Sequence, residues 1–551
     1  MACCLLILLF VKEELSYDHY HQKIDRIYRV LHAYRYTESS EELPPAAAEE
    51  FQVWGNAPVG PALLADFPEI QSVFQFMSPP KFLLQYGEKR FQEDNIVFAD
   101  STAFEIFSWN LIAGDPTTAL KAPDCIVLTQ TTARKYFGDQ DPLGETLTVG
   151  QGGVFTVTGV MEDIPNRSHF TFDGMVSMTT LQKGDPEFLE WWDYVDFYTY
   201  FLVTEHADIR TMQDRVPEFI QRYSPEGVNY SIAFEPMTDA YLHSVAGRQP
   251  GITGSMSNVY IFASIALFIL LIAVINFVNL TTAQSVERAK EVGVRKTMGA
   301  VQRTLLFQFL AESVLLSVLA AVLAGVLMTV LVPVVQDISG KPLSVAEILS
   351  EPMIFTLLIL GVLLVGILAG IYPARILAYL QPTLVLKSRH RSAAGGSILR
   401  KGLVVFQFSM SIALMVGSVI VFTQLRHLRT QDLGFQQEQM LVIDFGWDGI
   451  VQQQIEAFKS EYLRLPAVHS VAVSRMVPGD FFPKAKTSVA SPEGIMVEEN
   501  PDLFEIDADF ISHYGMEMVA GRAFSADFPA DSSKSRLLIE AAVRRYGYID
   551  P

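Results

Sequence analysis

Four stretches of the chain carry no charged side chain and are long enough to cross a lipid bilayer. They are Tyr260–Leu280, Ser313–Val335, Met353–Tyr372 and Leu403–Leu425. A hydrocarbon core about 30 Å thick takes about 20 apolar residues in a helix rising 1.5 Å each. Each stretch therefore predicts a spanning helix. Four uncharged blocks of this length exceed what buried helices of a soluble protein use. A shorter block, Ala2–Val11 (ACCLLILLFV), ends at Lys12 and is too short to span. No basic stretch precedes it and no small-residue cleavage site follows it, so it does not read as a signal peptide. Cys3 and Cys4 lack the preceding apolar run of a lipoprotein cysteine. The block reads as the second half of a spanning helix. With the abrupt stop at Asp550-Pro551, the expectation is a fragment truncated at both ends.

Between and beyond these blocks the pattern is mixed. Asp18–Val30 shows helical spacing of Tyr20, Ile24, Ile27 and Tyr28 before a strand. Gly153–Val160 alternates as a strand, and Gln130–Phe137 predicts a helix stopped by Gly138. Two outer segments look alike. Leu128–Pro142 matches Leu537–Pro551 at Leu128, Ala133, Gly138, Asp141 and Pro142. Upstream, Ala99-Asp100 through Ala113-Gly114 resembles Ala508-Asp509 through Ala520-Gly521 with a two-residue gap. The expected unit is a helix, an outer domain and three helices, with the chain ending inside a second unit.

Charge gives the orientation. Thr281–Thr304 holds Arg288, Lys290, Arg295, Lys296 and Arg303 against two acids, and Ala374–Gly402 holds six basic residues and no acid. Short basic loops stay in the cytoplasm. Gln336–Pro352, with one lysine and three acids, then lies outside, as does Lys12–Gly251 with 17 basic and 36 acidic residues. The whole 551-residue chain carries a net charge of −20, which argues against a nucleic-acid partner. Three cysteines exclude a disulfide scaffold.

The order of domains and four motifs resemble the MacB/FtsX-like permeases of ATP-binding cassette systems. The motifs are Glu14–Val30 (ELSYDHYHQKIDRIYRV), Phe155–Asp173 (FTVTGVMEDIPNRSHFTFD), Asn276–Leu316 and Tyr372–Lys387 (YPARILAYLQPTLVLK). The third, beginning NFVNLTTAQSVERAKEVGVRKTMGA, is the most specific. Two such units in one polypeptide are similar to a duplicated, Bacteroidetes-type permease. The resemblance implies a transmembrane helical bundle with large α/β extracytoplasmic domains of the MacB periplasmic core type. The expected division is a partial helix at 1–11, a core domain at 12–257 and helices at 258–280, 305–335, 353–379 and 403–425. A coupling loop at 281–304, an outer loop at 336–352 and a basic loop at 380–402 join them. The FtsX-like part covers 260–385, and 426–551 is the truncated second core domain.

The resemblance also implies that Ser285–Gln302 docks on a separate ATPase, with Arg288, Glu291, Gly293, Arg295, Lys296 and Gly299 as coupling residues. The spacing of Glu287 with Lys290 and of Glu291 with Arg295 supports a helix there, and a plain cytosolic loop is the competing reading. Gly366 with Gly370, and Ala321 with Gly325, have the small-residue spacing of close helix contacts. The sequence contains no G-x-x-x-x-G-K-[S/T], so ATP hydrolysis is expected on another subunit and no enzyme activity, cofactor or metal on this chain. His19 and His21 lack a third ligand nearby. Cys125 reads as a small buried residue. Glu187, Glu190, Asp193 and Asp196 among Trp191, Trp192, Tyr194 and Phe197 read as an aromatic-packing loop over a carboxylate-pair hydrolase. Glu312 is expected to pair with Arg303 or a neighbouring helix. No line of buried charge marks an ion path.

The expected function is a permease subunit in a bacterial inner membrane, with the bilayer, an ATPase and an envelope or outer-membrane partner around it, serving export or efflux. The alternative is a signalling membrane protein whose outer domain senses or activates an envelope partner without transport.

Overall fold

The computed structural model describes residues 1–36, 51–78, 81–150, 153–223, 228–379, 394–431, 433–435, 439–445, 449–479, 487–490, 494, 496–499, 501–532 and 534–548. The chain starts with helix α1 (Ala2–Leu15), which runs past the apolar block into Lys12, Glu13 and Glu14. The predicted helix after it does not form. A single 3-10 turn at Ile24–Arg26 leads into the first strand. The β-branched and aromatic run Ile27-Tyr28-Arg29-Val30 favours the extended backbone, and the downstream pairing partners take it.

The outer domain is one mixed sheet. Its strands are β1 (Ile27–Tyr36), β2 (Trp54–Asn56), β3 (Ile70–Met77), β4 (Phe82–Tyr86), β5 (Lys89–Glu93), β6 (Ile96–Ala99), β7 (Leu111–Gly114), β8 (Cys125–Thr129), β9 (Thr146–Val149), β10 (Gly153–Met161), β11 (Gly174–Ser177), β12 (Val195–Val203) and β13 (Val228–Pro236). Their order is β13-β1-β12-β3-β6-β11-β8-β10-β9-β4-β5, with β2 on β12 and β7 on β10. Only β8 with β10 and β6 with β11 pair in parallel. Helices α2 (Val59–Asp66), α3 (Ala103–Ile106), α4 (Gln130–Phe137), α5 (Ile209–Tyr223) and α6 (Met237–Ala240) cover it. Gly138 stops α4 with φ +64°, a conformation that costs a residue with a Cβ. One face buries Phe74, Phe76, Phe107, Trp109, Phe170 and Tyr200. Another places Leu63 and Phe67 against Met212, Val216 and Phe219 of α5.

The long helices are α7 (Met256–Thr297), α8 (Gln302–Ser339), a short α9 (Val345–Ser350), α10 (Pro352–Tyr379) and α11 (Ala394–Thr430). Four segments in them, Met256–Gln284, Gln302–Ser339, Pro352–Tyr379 and Lys401–Thr430, are long and apolar enough to cross a membrane. α10 packs on α8 and α7, α1 on α7 and α8, and α11 touches α7. A Cβ on Gly366 would lie 2.9 Å from Val314 Cα, and one on Gly370 would lie 2.6 Å from Ser313 Cβ, so α8 and α10 approach where only glycine fits. A Cβ on Gly325 would meet nothing within 4 Å, and the neighbours of Ala321-x-x-x-Gly325 that turn inward are Ala324 and Met328.

Beyond α11, described residues between Leu465 and Gly521 repeat local geometry of the outer domain. The Ile70 N–H donates to Phe67 O and the Val468 N–H to Leu465 O, both at 3.0 Å. Asp100 and Gln75 exchange two bonds, N–H to O at 3.0 Å and N–H to carboxylate at 2.8 Å. Asp507 and Val473 exchange the same two, each at 3.0 Å. Phe76 pairs with Ala99 as Ser474 pairs with Ile506. The short helix Phe510–His513 then occupies the place of α3, and Gly114 and Gly521 both have positive φ. These bonds correct the alignment of the sequence: Asp100 corresponds to Asp507, not Asp509, and the run to Ala113-Gly114 and Ala520-Gly521 needs no gap.

Candidate coupling site and outer junction

The segment expected to be a loop at 281–304 is helix for most of its length. α7 continues unbroken to Thr297, and only Met298–Val301 turns. No proline interrupts the run, and its alanine, glutamate, arginine and lysine content favours helix over loop. The break comes at Gly299, whose φ of +96° only glycine adopts without cost. The Ala300 N–H donates to Arg295 O at 3.0 Å and closes the turn.

The expected coupling residues sit on this helix end in different roles. Arg288 Nη1 donates to both carboxylate oxygens of Glu312 on α8 at 2.9 Å, the cross-helix partner that Glu312 was expected to have. Arg295 bonds Glu291 one turn back at 2.6 Å and Gln308 of α8 at 3.4 Å. Lys296 Nζ donates to Ala378 O, 2.6 Å away at the end of α10. Gly293 is buried beside Val292, which packs with Leu305 and Leu377. The ion pairs are about half-exposed and contribute about 0–1 kcal/mol each. Burying three aliphatic side chains contributes about 1.5–3 kcal/mol apiece, so apolar packing sets the geometry. Met298, 83 % exposed, and Val301, 64 % exposed, stand out from the turn as an apolar knob. The side chains of Glu287 and Lys290 and the basic run Lys387–Arg391 lie outside the described residues.

At the opposite end of the helices a second cluster ties them to the outer domain. Lys341, in the loop between α8 and α9, donates from Nζ to the buried Glu14 carboxylate and, at 2.7 Å, to Tyr241 Oη. The Tyr241 hydroxyl donates to Glu14 at 3.0 Å, and burial beside this carboxylate pushes its phenol well above the ordinary range. Tyr17 stacks on Tyr241 at 3.6 Å between ring centres, and Lys341 Nζ lies 4.9 Å from the Tyr17 ring centre. Arg167 bonds Glu13, Lys12 bonds Glu351, and Asp18 accepts from His169 Nδ1 at 2.8 Å. Burial holds the His169 pKa low, and its Nε2 lies 3.0 Å from Tyr200 Oη. Sequence reading missed this junction. Its one visible signal was the charge pair Glu13-Glu14 directly after an apolar block, with a single lysine in the facing loop.

The remaining candidates are structural in place. His21 is buried against Phe107 and Trp109, accepts from the Ser108 N–H at 3.1 Å, and has its pKa pushed down to about 4 by burial. Among the described residues no group of three or more histidine, cysteine or acidic side chains is placed to hold a metal. Cys125 is buried in β8. Phe188, Trp191 and Tyr194 pack on one another, and Asp196 accepts from the Tyr194 hydroxyl at 3.1 Å.

Comparison with known proteins decides the family. A profile of the MacB-like periplasmic core domain matches residues 1–219, and one of the FtsX-like permease C-terminal domain matches 263–382. The chain belongs to the MacB/FtsX-like permease family. It is 28 % identical over 193 residues to the macrolide export ATP-binding/permease protein MacB of Bdellovibrio bacteriovorus, a match covering 35 % of this chain and 28 % of that protein. It is 24 % identical over 263 residues to the uncharacterized ABC transporter permease YknZ of Bacillus subtilis, covering 47 % and 61 %. The chain thus spans less than two thirds of these relatives. Among solved structures it is similar to the periplasmic region of MacB from Actinobacillus actinomycetemcomitans, at 13 % identity and a TM-score of 0.28, over 38 % of this chain and 89 % of that one. The protein is a MacB/FtsX-like membrane protein with an α/β extracellular-type domain.

Proposed function

We propose that this family member is the permease subunit of an ATP-binding cassette transporter in a bacterial inner membrane. A separate ATPase docks at the Met298–Val301 turn, and its closure on ATP moves α7, α8 and α10. The observation that carries this reading is the Lys296 bond to Ala378 O, which links the turn to α10 while Met298 and Val301 remain exposed. A push on the turn is thereby delivered to two helices at once. α8 leads to Lys341, whose bond to Glu14 passes the displacement to the outer domain. The sequence holds no phosphate-binding P-loop, which leaves ATP hydrolysis to the partner. The described residues between 455 and 548 are read as part of a second outer unit of the same kind. The output is export of a cargo already outside the membrane, as the macrolide export role of the MacB relative suggests, or action on an envelope partner.

The test is co-purification from the native membrane of the protein and its Met298→Asp variant. An ATPase that accompanies the wild type and is lost from a correctly inserted variant supports docking at the turn. Equal recovery with both removes the turn from the docking surface. No ATPase with either leaves the sensor reading as the one that fits.

A further inference from the structure

A cavity of about 640 Å³ opens where the outer domain meets the helices. It is lined by Glu13 and Ser16 at the end of α1, Gln336 of α8, Leu343 before α9, Glu351 before α10, and Asn166-Arg167 of the outer domain. Gln336, Leu343 and Glu351 sit at the outer ends of three segments, two of them long and apolar enough to span a membrane. The cavity is therefore at the depth of lipid headgroups. Directly beside it Leu6, Leu9, Met328 and Val332 form an apolar cluster between α1 and α8.

We infer that this cavity binds one phospholipid with a zwitterionic headgroup bearing a primary ammonium, such as phosphatidylethanolamine. The lining holds two carboxylates, Glu13 and Glu351, and one guanidinium, Arg167, which pairs with Glu13; Lys12, outside the lining, pairs with Glu351. The wall carries both signs with the carboxylates in excess, which suits a headgroup bearing an ammonium beside its phosphate and disfavours a net anion. The carboxylate of Glu351 is about half-exposed and offers acceptor positions to an ammonium N–H, while the Arg167 guanidinium, partly exposed, faces phosphate. A quaternary ammonium needs an aromatic cage. Tyr20 is the one aromatic side chain in the lining, so choline is disfavoured. The acyl chains leave along the partly buried rim of the apolar cluster, formed by Leu5, Val335 and Val345. The volume is within the range of about 300–1,000 Å³ typical of small-molecule sites. The inference rests on the helices crossing a membrane and is independent of ATPase docking.

The experiment places the full chain in nanodiscs of equal parts phosphatidylethanolamine, phosphatidylcholine and phosphatidylglycerol, then counts retained lipid by native mass spectrometry. Wild type is expected to keep phosphatidylethanolamine about tenfold over either competitor, the effect of one or two charge-assisted hydrogen bonds. Asn166→Trp, which fills the cavity from an exposed position, and Glu351→Gln are each expected to abolish the preference without shifting the thermal midpoint. Should Glu351→Gln lower the yield of folded protein, Asn166→Trp decides alone. Equal retention of the three lipids, preference for phosphatidylglycerol, or persistence of the preference in a folded variant overturns the inference. So does equal affinity for soluble glycerophosphoethanolamine, which would assign the site to a free headgroup compound.

Discussion

The outer domain and residues 455–548 use the same backbone bonds to support different environments. In the first, Asp100 is partly buried with the Gln75 N–H as a bonding partner, and desolvation pushes its carboxyl up to about 7. In the second, the corresponding Asp507 makes the same backbone bond and also holds the ammonium of Lys459 at 2.7 Å. The helix beside each also differs. Leu63 and Phe67 are buried under α5, whereas Glu461, which matches Leu63, is a solvent-facing acid paired with Arg464, and Leu465, which matches Phe67, is 50 % exposed. Backbone geometry at an Asp-started turn thus tolerates a neutral acid or an ion pair.

The largest test of that difference is at one aromatic position. Phe107 closes α3 and touches Phe74, Trp109, Phe170 and Tyr200; Tyr514 holds the corresponding place and touches Phe435 and Phe510. Phe107→Ala is expected to cost about 4 kcal/mol and Tyr514→Ala about 2 kcal/mol, because a cavity in a fuller core relaxes less. Hydrogen exchange of the amides in each region of the full chain measures both. Equal losses would mean that the second region is packed as fully as the first.

The two aspartates give opposite signs. Native Asp100 holds its proton up to about pH 7, while the unfolded chain releases it near the ordinary 3.8. Between those values the native state binds more protons, so stability falls as pH rises. Asp100→Asn should flatten this slope and gain about 2 kcal/mol above about pH 7, allowing for the amide protons it buries unpaired. Asp507→Asn removes a partner of Lys459 and should cost about 1 kcal/mol at neutral pH. Chemical denaturation across the pH range, read by local exchange, checks both. Two changes of the same sign would break the contrast.

The spanning helices, the strand at Gly153 and the helix stopped by Gly138 were legible because each rests on local pattern: hydrophobic length, alternation, or one residue with positive φ. The coupling segment is bounded in the sequence as a loop at 281–304, although the spacing of Glu287 with Lys290 and of Glu291 with Arg295 supports a helix within it. Local propensity and the Val292, Leu305 and Leu377 contacts carry α7 onward instead. The junction was hidden for another reason. Glu14, Lys341 and Tyr241 are far apart in the chain, and nothing in their local sequence announces that they meet. The match of Asp100 to Asp509 failed because the two copies differ in length between their bonded strands, with 25 residues separating Gln75 from Asp100 and 34 separating Val473 from Asp507.

The smallest effect asks what holds α5 over α2. Arg222 Nη1 lies 2.7 Å from the Asp66 carboxylate, with Arg222 well exposed. The residue that takes the place of Asp66 in the second region, one before Leu465, is Arg464, which pairs one turn back with Glu461. An ion pair in water is worth about 0–1 kcal/mol and is screened by salt. Arg222→Ala should therefore cost about 0.5 kcal/mol in dilute buffer and close to nothing in about 1 M salt, while Arg464→Ala changes stability less in either. Met212, Val216 and Phe219 remain buried against Leu63 and Phe67 in the variant, and that apolar area keeps α5 in place. A loss of several kcal/mol from Arg222→Ala, undiminished by salt, would show that charge rather than packing fastens α5.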